Sequence, residues 1–160
     1  MGSGKTTVAR LLHENLQWPV KDTDSLIESK KNMTISEIFA KEGEAKFRDY
    51  ETEILMELKD QDFVIISTGG GIIEKERNHE LLKSNSVVFY LKTTPQDVLK
   101  FTAKDQNRPL LQQENPLEFI TKKLQSRERT YEKLAHLQME ASKISLEAVA
   151  EQIISYLKLK

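Results

Sequence analysis

The sequence predicts a three-layer α/β/α fold built on a parallel β-sheet, and three observations carry that expectation. Short apolar, β-branched runs alternate with stretches of helical periodicity. The run at 63–68 (FVIIST) is apolar almost throughout, as a strand covered on both faces must be. Glycine is concentrated beside such positions: of six glycines, Gly2 and Gly4 precede the first helical stretch, and Gly69, Gly70 and Gly71 follow FVIIST. Ligands of open parallel sheets gather beyond the carboxyl ends of the strands, so those glycines mark where a ligand would sit.

Taken in order, residues 7–17 place Val8, Leu11, Leu12 and Leu16 at helical spacing. WPVKDTD (18–24) reads as a short strand with Asp22 and Asp24 at its carboxyl end, and 25–31 as a short helix. TISE (34–37) is a capping box, in which hydroxyl and carboxylate each satisfy a backbone N–H left over at a helix start. That helix continues through Ile35, Ile38 and Phe39 until Gly43 interrupts it. A longer one follows over about 44–59, with Phe47, Tyr50, Ile54, Leu55 and Leu58 inward. After FVIIST and the glycines comes a helix carrying Leu81 and Leu82, then VVFYL (87–91) as a second buried strand. Thr94 and Pro95 supply an N-cap and a first helical residue. The stretch at about 105–116 is polar, proline-containing and unpatterned, and reads as a mobile lid loop. Residues 117–135 form a long amphipathic helix, 136–141 a weak strand and 146–157 a closing helix. With no repeat or linker, residues 1–160 are expected to form one domain.

Composition bounds the function. The 160 residues are 38% hydrophobic and 31% charged, which is ordinary for a soluble globular protein. A net charge of −1 gives no global basic field for nucleic acid or an anionic membrane. No apolar run approaches the ~20 residues of a membrane span, and no leader pattern is expected. Cysteine is absent, which excludes disulfides and thiolate metal sites and is compatible with a cytoplasmic location.

The chain opens MGSGKTTVARLL, the second half of a phosphate-binding loop. In such loops backbone N–H groups cradle phosphates, the lysine reaches the β- and γ-phosphates, and the hydroxyl binds Mg²⁺. Gly4, Lys5 and Thr6 match those places, and a helix begins where its positive end faces the phosphate. The alternative is a glycine-serine start that only caps a helix. In KDTD, an extended strand points Asp22 and Asp24 to the same face, one able to help hold Mg²⁺ and the other to accept a hydrogen bond from a substrate hydroxyl. The alternative is that Asp24 caps the next helix. The glycines of STGGG let backbone N–H groups approach a ligand closely, or make a flexible turn. Lysine is the default cation in this chain, so Arg48, set between Phe47 and Tyr50 on a helix, invites a bidentate role. Arg127 and Arg129 lie in SRERTY on a later helix, where each alone reads as a solvated face before a ligand clamp, and Arg108 lies in NRPLL on the lid. His13, His79 and His136 show no catalytic spacing, and Tyr131 and Trp18 read as packing.

Together these segments resemble one family closely. GSGKTT, DTD, EGEAKFRDYE around Arg48, STGGG, NRPLL and RERTY occur in the order and at separations compatible with shikimate kinase, across essentially the whole chain. The resemblance implies a sheet of the P-loop nucleoside monophosphate kinase type and transfer of the ATP γ-phosphoryl group to the 3-hydroxyl of shikimate, in the biosynthesis of chorismate and the aromatic amino acids. It implies that Gly2, Ser3, Gly4, Lys5, Thr6 and Thr7 hold ATP and that Thr6 and Asp22 organise Mg²⁺. It further implies that Asp24 orients or deprotonates the attacking hydroxyl and that Arg48 and Arg127 grip the substrate carboxylate. Gly69, Gly70 and Gly71 then line the pocket, and Arg108 closes over the transferring phosphate as a catalytic and ATP-binding residue. Arg127 is preferred to Arg129 by its spacing of four residues before Tyr131. Lys5, Asp24 and Arg108 are thus the expected catalytic set, in a cytoplasmic monomer that takes shikimate and ATP and binds neither nucleic acid nor membrane. A gluconate or nucleoside monophosphate kinase shares the loop and lid but not the GGG, DTD and paired arginines; a catalytically dead relative is the other rival.

One expectation concerns the start. Counting back from Gly4 puts the loop's first glycine two positions before Met1. The strand feeding it, central in the family's sheet, would lie further upstream, as roughly eight to ten in-frame residues. Lacking that strand, the chain is expected to be less stable and less active than a longer one.

Overall fold

The computed structural model describes residues 2–102 and 115–159. Its elements run α1 (Lys5–Leu16), β1 (Val20–Asp22), α2 (Thr23–Lys31), α3 (Ile35–Leu58), β2 (Ile65–Ser67), a 3₁₀ turn (Ile72–Glu74), α4 (Glu76–Asn85), β3 (Phe89–Lys92), α5 (Pro95–Thr102), α6 (Pro116–Leu134), β4 (Leu137–Glu140) and α7 (Leu146–Lys158). The expected lid at about 105–116, with Arg108, lies outside the described residues up to 114. At its end, the Asn115 side chain accepts a hydrogen bond from the Glu118 N–H and Pro116 is the first residue of α6.

All pairing among the described strands is parallel. β1 lies beside β2, with Val20 opposite Ile65 and Asp22 opposite Ser67, and β3 beside β4, with Phe89 opposite Leu137 and Lys92 opposite Glu140. These are two separate ladders. An apolar cavity of about 640 Å³ lies against both, walled in part by Val8 and Leu12 of α1, Ile65 and Ile66 of β2, and Phe89 and Leu91 of β3.

Burial follows the alternation of the strands. In β2, Ile65 packs into a cluster with Val8, Leu12, Leu91, Met139, Val149 and Ile153, which joins α1 and α7 to β3 and β4. Its neighbour Ile66 packs into a second cluster of Ile27, Ile38, Phe47, Tyr50, Ile54 and Leu58, from α2 and α3. Successive strand side chains point to opposite faces, so β2 is covered on both, and the layers expected from FVIIST are present. A third cluster sets Leu55 against Ile72, Ile73 and Leu134 and brings α3, the 3₁₀ turn and α6 together.

Local chemistry explains the boundaries. Thr34 and Glu37 form the full capping box of α3, and Gly43 (φ 83°, ψ 164°) breaks that helix where expected. Thr94 Oγ1 accepts from the Asp97 N–H, 3.2 Å away, and Pro95 opens α5. Strands are shorter than the apolar runs suggest. Phe63 takes a left-handed turn (φ 54°) and is 70% exposed, so β2 starts only at Ile65. β1 is also shorter than expected: the Asp22 carboxylate accepts from the Ser25 N–H at 3.1 Å and starts α2 at Thr23. Asp22 and Asp24 therefore do not share a strand face, and it is Asp22 that caps the helix, with Asp24 in its first turn.

Candidate active site

The carboxyl ends of β1 and β2 stand level, because Asp22 pairs with Ser67, and the functional segments converge just beyond them. On one side is the start of α1. Gly4 is its N-cap in the left-handed region (φ 83°), a conformation open to glycine, with no side-chain cap and no acid in the first turn. That arrangement suits an anion, since the helix N-terminus carries partial positive charge. Lys5 is the first helical residue, and with Ser3 it shares the wall of the large cavity with Gly69 and Gly70. Thr6 is exposed and Thr7 half-buried on the same turn.

The glycine segment is pinned to the DTD segment across 46 residues of chain: the Gly69 N–H donates to the Oγ1 of fully buried Thr23 at 3.2 Å. Close approach then requires the glycines. A Cβ on Gly69 would stand 2.7 Å from Asp24 Oδ1 and 3.1 Å from Glu51 Oε1, and one on Gly71 would overlap the Arg48 guanidinium. The guanidinium lies directly on the Gly71 backbone.

Arg48 is buried and meets three carboxylates, one at each nitrogen. Its Nη1 donates to Glu51 Oε2 at 2.7 Å, Nη2 to Glu44 Oε1 at 2.7 Å and Nε to Glu74 Oε2 at 3.2 Å. Burial works against its charge, but these carboxylates raise its pKa on balance. Glu51 is fully buried, and burial pushes its carboxyl up to about 7 against the pull of Arg48, with the charges of Asp24 and Glu74 adding to the rise. Its second oxygen, Oε1, is buried without a hydrogen-bond partner among the described residues.

Glu74 joins this group to α6. Its Oε1 accepts from Arg127 Nε at 3.0 Å and also from Arg127 Nη2, while its Oε2 takes Arg48 Nε. One carboxylate therefore spans both arginines. Partial burial raises the Glu74 pKa, but Arg127 and Arg48 outweigh it and hold the group below the usual carboxylate range. Next to it, Tyr131 donates its hydroxyl to the Gly70 carbonyl, and its ring lies 4.9 Å from that of Tyr90 at 31°. Burial raises the Tyr131 pKa, so the hydroxyl stays a donor at neutral pH.

The structure thus brings together Asp24, Arg48, Gly69, Gly70, Gly71 and Arg127, with Lys5 on the wall of the adjoining cavity. Arg129 is exposed, two residues along α6 from Arg127, and makes no contact with this group among those described. Arg108 lies outside the described residues. Four members were not anticipated from sequence: Glu44, Glu51, Glu74 and Tyr131. Glu51 carried a readable signal, because it falls within the inward stripe of Phe47, Tyr50, Ile54 and Leu58, where a lone acid needs a buried partner. Tyr131, taken for packing, both packs and donates.

Asp22 and Thr6 offer one carboxylate and one hydroxyl, and no group of three or more His, Cys, Asp or Glu among the described residues could hold a metal. A carboxylate and a hydroxyl are the kinds of oxygen donor that Mg²⁺ takes, alongside waters and substrate phosphates. Among the described residues no helix is long and apolar enough to cross a membrane.

Comparison with known proteins agrees with this geometry. The family model described as "Shikimate kinase" matches residues 1–158. The shikimate kinase of Bacillus cytotoxicus is 43% identical over 154 residues, covering 96% of this chain and 92% of that protein. That of Burkholderia pseudomallei is 36% identical over 159 residues, 99% of this chain and 86% of its own. Among solved structures, shikimate kinase from Acinetobacter baumannii in complex with shikimate superposes with a TM-score of 0.92 at 41% identity, covering 98% of this chain and 88% of that one. Shikimate kinase from Aquifex aeolicus gives a TM-score of 0.84 at 32% identity, with 99% and 92% covered.

Proposed function

The chain belongs to the shikimate kinase family, and on that premise we propose that it transfers the γ-phosphoryl group of ATP to the 3-hydroxyl of shikimate, yielding shikimate 3-phosphate and ADP for aromatic biosynthesis. One observation carries the reading: Arg48 and Arg127, 79 positions apart in the chain, are held on a single carboxylate beside Gly69–Gly71 and Asp24. Two guanidinium groups facing one carboxylate are the arrangement a carboxylate-bearing substrate needs.

In this reading the α1 N-terminus and Lys5 hold the β- and γ-phosphates. Asp24, placed against Gly69, accepts the proton of the 3-hydroxyl as that oxygen bonds to phosphorus and the bond from phosphorus to the β–γ bridging oxygen breaks. Arg48 and Arg127 fix the substrate carboxylate and so set the hydroxyl against the phosphate; positioning and charge neutralisation supply most of the rate in phosphoryl transfer. Mg²⁺ accompanying ATP would neutralise phosphate charge, with Thr6 and Asp22 the residues to hold it. Arg108 is assigned to the transferring phosphate by the family resemblance. The chain is read as a cytoplasmic monomer.

A coupled ADP-release assay tests the proposal, with shikimate, gluconate and nucleoside monophosphates as acceptors. Turnover is expected with shikimate alone. No rate with shikimate, or a higher rate with another acceptor, overturns the reading.

A further inference from the structure

The arginine clamp holds a carboxylate that belongs to the protein itself. Arg48 has a glutamate on each of its three nitrogens, and Arg127 directs both Nε and Nη2 to one oxygen of Glu74. A substrate carboxylate that takes the Nε–Nη2 edge of Arg127 together with Arg48 competes with these contacts for the same donors, and one glutamate then withdraws. Glu51 is unsuited, being fully buried with its side chain locked beside Gly69. Glu44 touches Arg48 only. Glu74 spans the two, ends a single 3₁₀ turn, and keeps 31% of its side chain exposed to water. Lys123, on α6, lies 4.0 Å from the same Oε1 and offers a partner to a carboxylate that swings outward.

We propose that Glu74 is a tethered stand-in for the substrate carboxylate: it occupies the Arg48–Arg127 clamp in the free enzyme and is exchanged for shikimate on binding. The inference rests on the assignment of that clamp to the substrate carboxylate. Glu74 then sets substrate affinity, because each binding event must break its two arginine contacts before new ones form. It also gives Arg127, whose side chain is only 12% exposed, a charged partner beside Arg48. A residue that merely braced the arginines would act in the opposite sense, since its loss would leave them misaligned and weaken binding.

The test compares wild type with Glu74→Gln and Glu74→Ala. Shikimate Kd is measured by calorimetry, shikimate and ATP KM by the coupled assay, and folding by thermal melting. Release of the competing contact is expected to lower shikimate Kd and KM by about threefold to tenfold in both variants, with the KM for ATP unmoved. Unchanged or raised shikimate Kd in folded variants overturns the proposal. Glu74→Gln, which keeps the shape of the side chain, decides the matter if Glu74→Ala fails to fold. Failure of both to fold shows a structural carboxylate and overturns it as well. Absence of turnover and binding in the wild type would instead refute the assignment of the site, so the two failures are distinguishable.

Discussion

Asp24 and Glu51 turn carboxylate oxygens toward one point, the place above Gly69 where a Cβ would stand 2.7 Å from Asp24 Oδ1 and 3.1 Å from Glu51 Oε1. The proposed proton acceptor therefore has a second, fully buried acid as its neighbour, and burial pushes that neighbour's carboxyl up to about 7.

Stability should register that acid. Its pKa rises from 4.5 to about 7 on folding, so the folded chain holds a proton that the unfolded chain releases across this interval. The stabilisation is complete below pH 4.5 and is lost as pH climbs through about 7. Melting temperature is expected to fall with rising pH over that window, and Glu51→Gln to flatten the slope. A slope that is the same in the variant contradicts the assignment.

Arg127 and Arg129 offer an internal contrast. Arg127 engages Glu74 through Nε and Nη2, whereas Arg129 is exposed. Arg127→Ala is expected to raise shikimate KM by about 10- to 100-fold, as loss of a bidentate charged contact should. Arg129→Ala should stay within about twofold of wild type. Initial-rate kinetics on the two variants decide; equal effects would remove Arg127 from the clamp.

Tyr131→Phe keeps the ring on Tyr90 and removes the hydroxyl that holds the Gly70 carbonyl. The expected cost is about 1 kcal/mol of stability, read by urea unfolding. A rise in shikimate KM with little change for ATP should accompany it, because the proposed substrate pocket is lined by the loosened segment. A silent variant would return Tyr131 to packing alone.

Gly71→Ala places a methyl group where the Arg48 guanidinium lies. Glu44, Glu51 and Glu74 fix that guanidinium, so it cannot swing aside without giving up a buried contact. The variant is expected to lose about 1–3 kcal/mol of stability and at least about tenfold in kcat/KM for shikimate. Unfolding curves and initial rates check both.

Much of the scaffold was readable because its signals are local. The Thr34–Glu37 box, the break at Gly43, the Thr94–Pro95 start and the covered strand at Ile65 and Ile66 each depend on residues a few positions apart. The DTD reading went astray for an equally local reason: Asp22 found the Ser25 N–H and turned the chain into α2, so period-two logic no longer applied at Asp24.

By itself the sequence determined the order of elements, the Thr34 and Thr94 helix starts and the position of the glycine and arginine segments, since each depends on neighbours along the chain. Tertiary structure alone decided which acids would face the arginines. Glu74 meets Arg48 across 26 residues and Arg127 across 53, and Tyr131 reaches Gly70 across 61. Contacts at such separations depend on how three packed elements are rotated against one another. No periodicity in one segment encodes that rotation, because it is set by the shape of the core cluster they share.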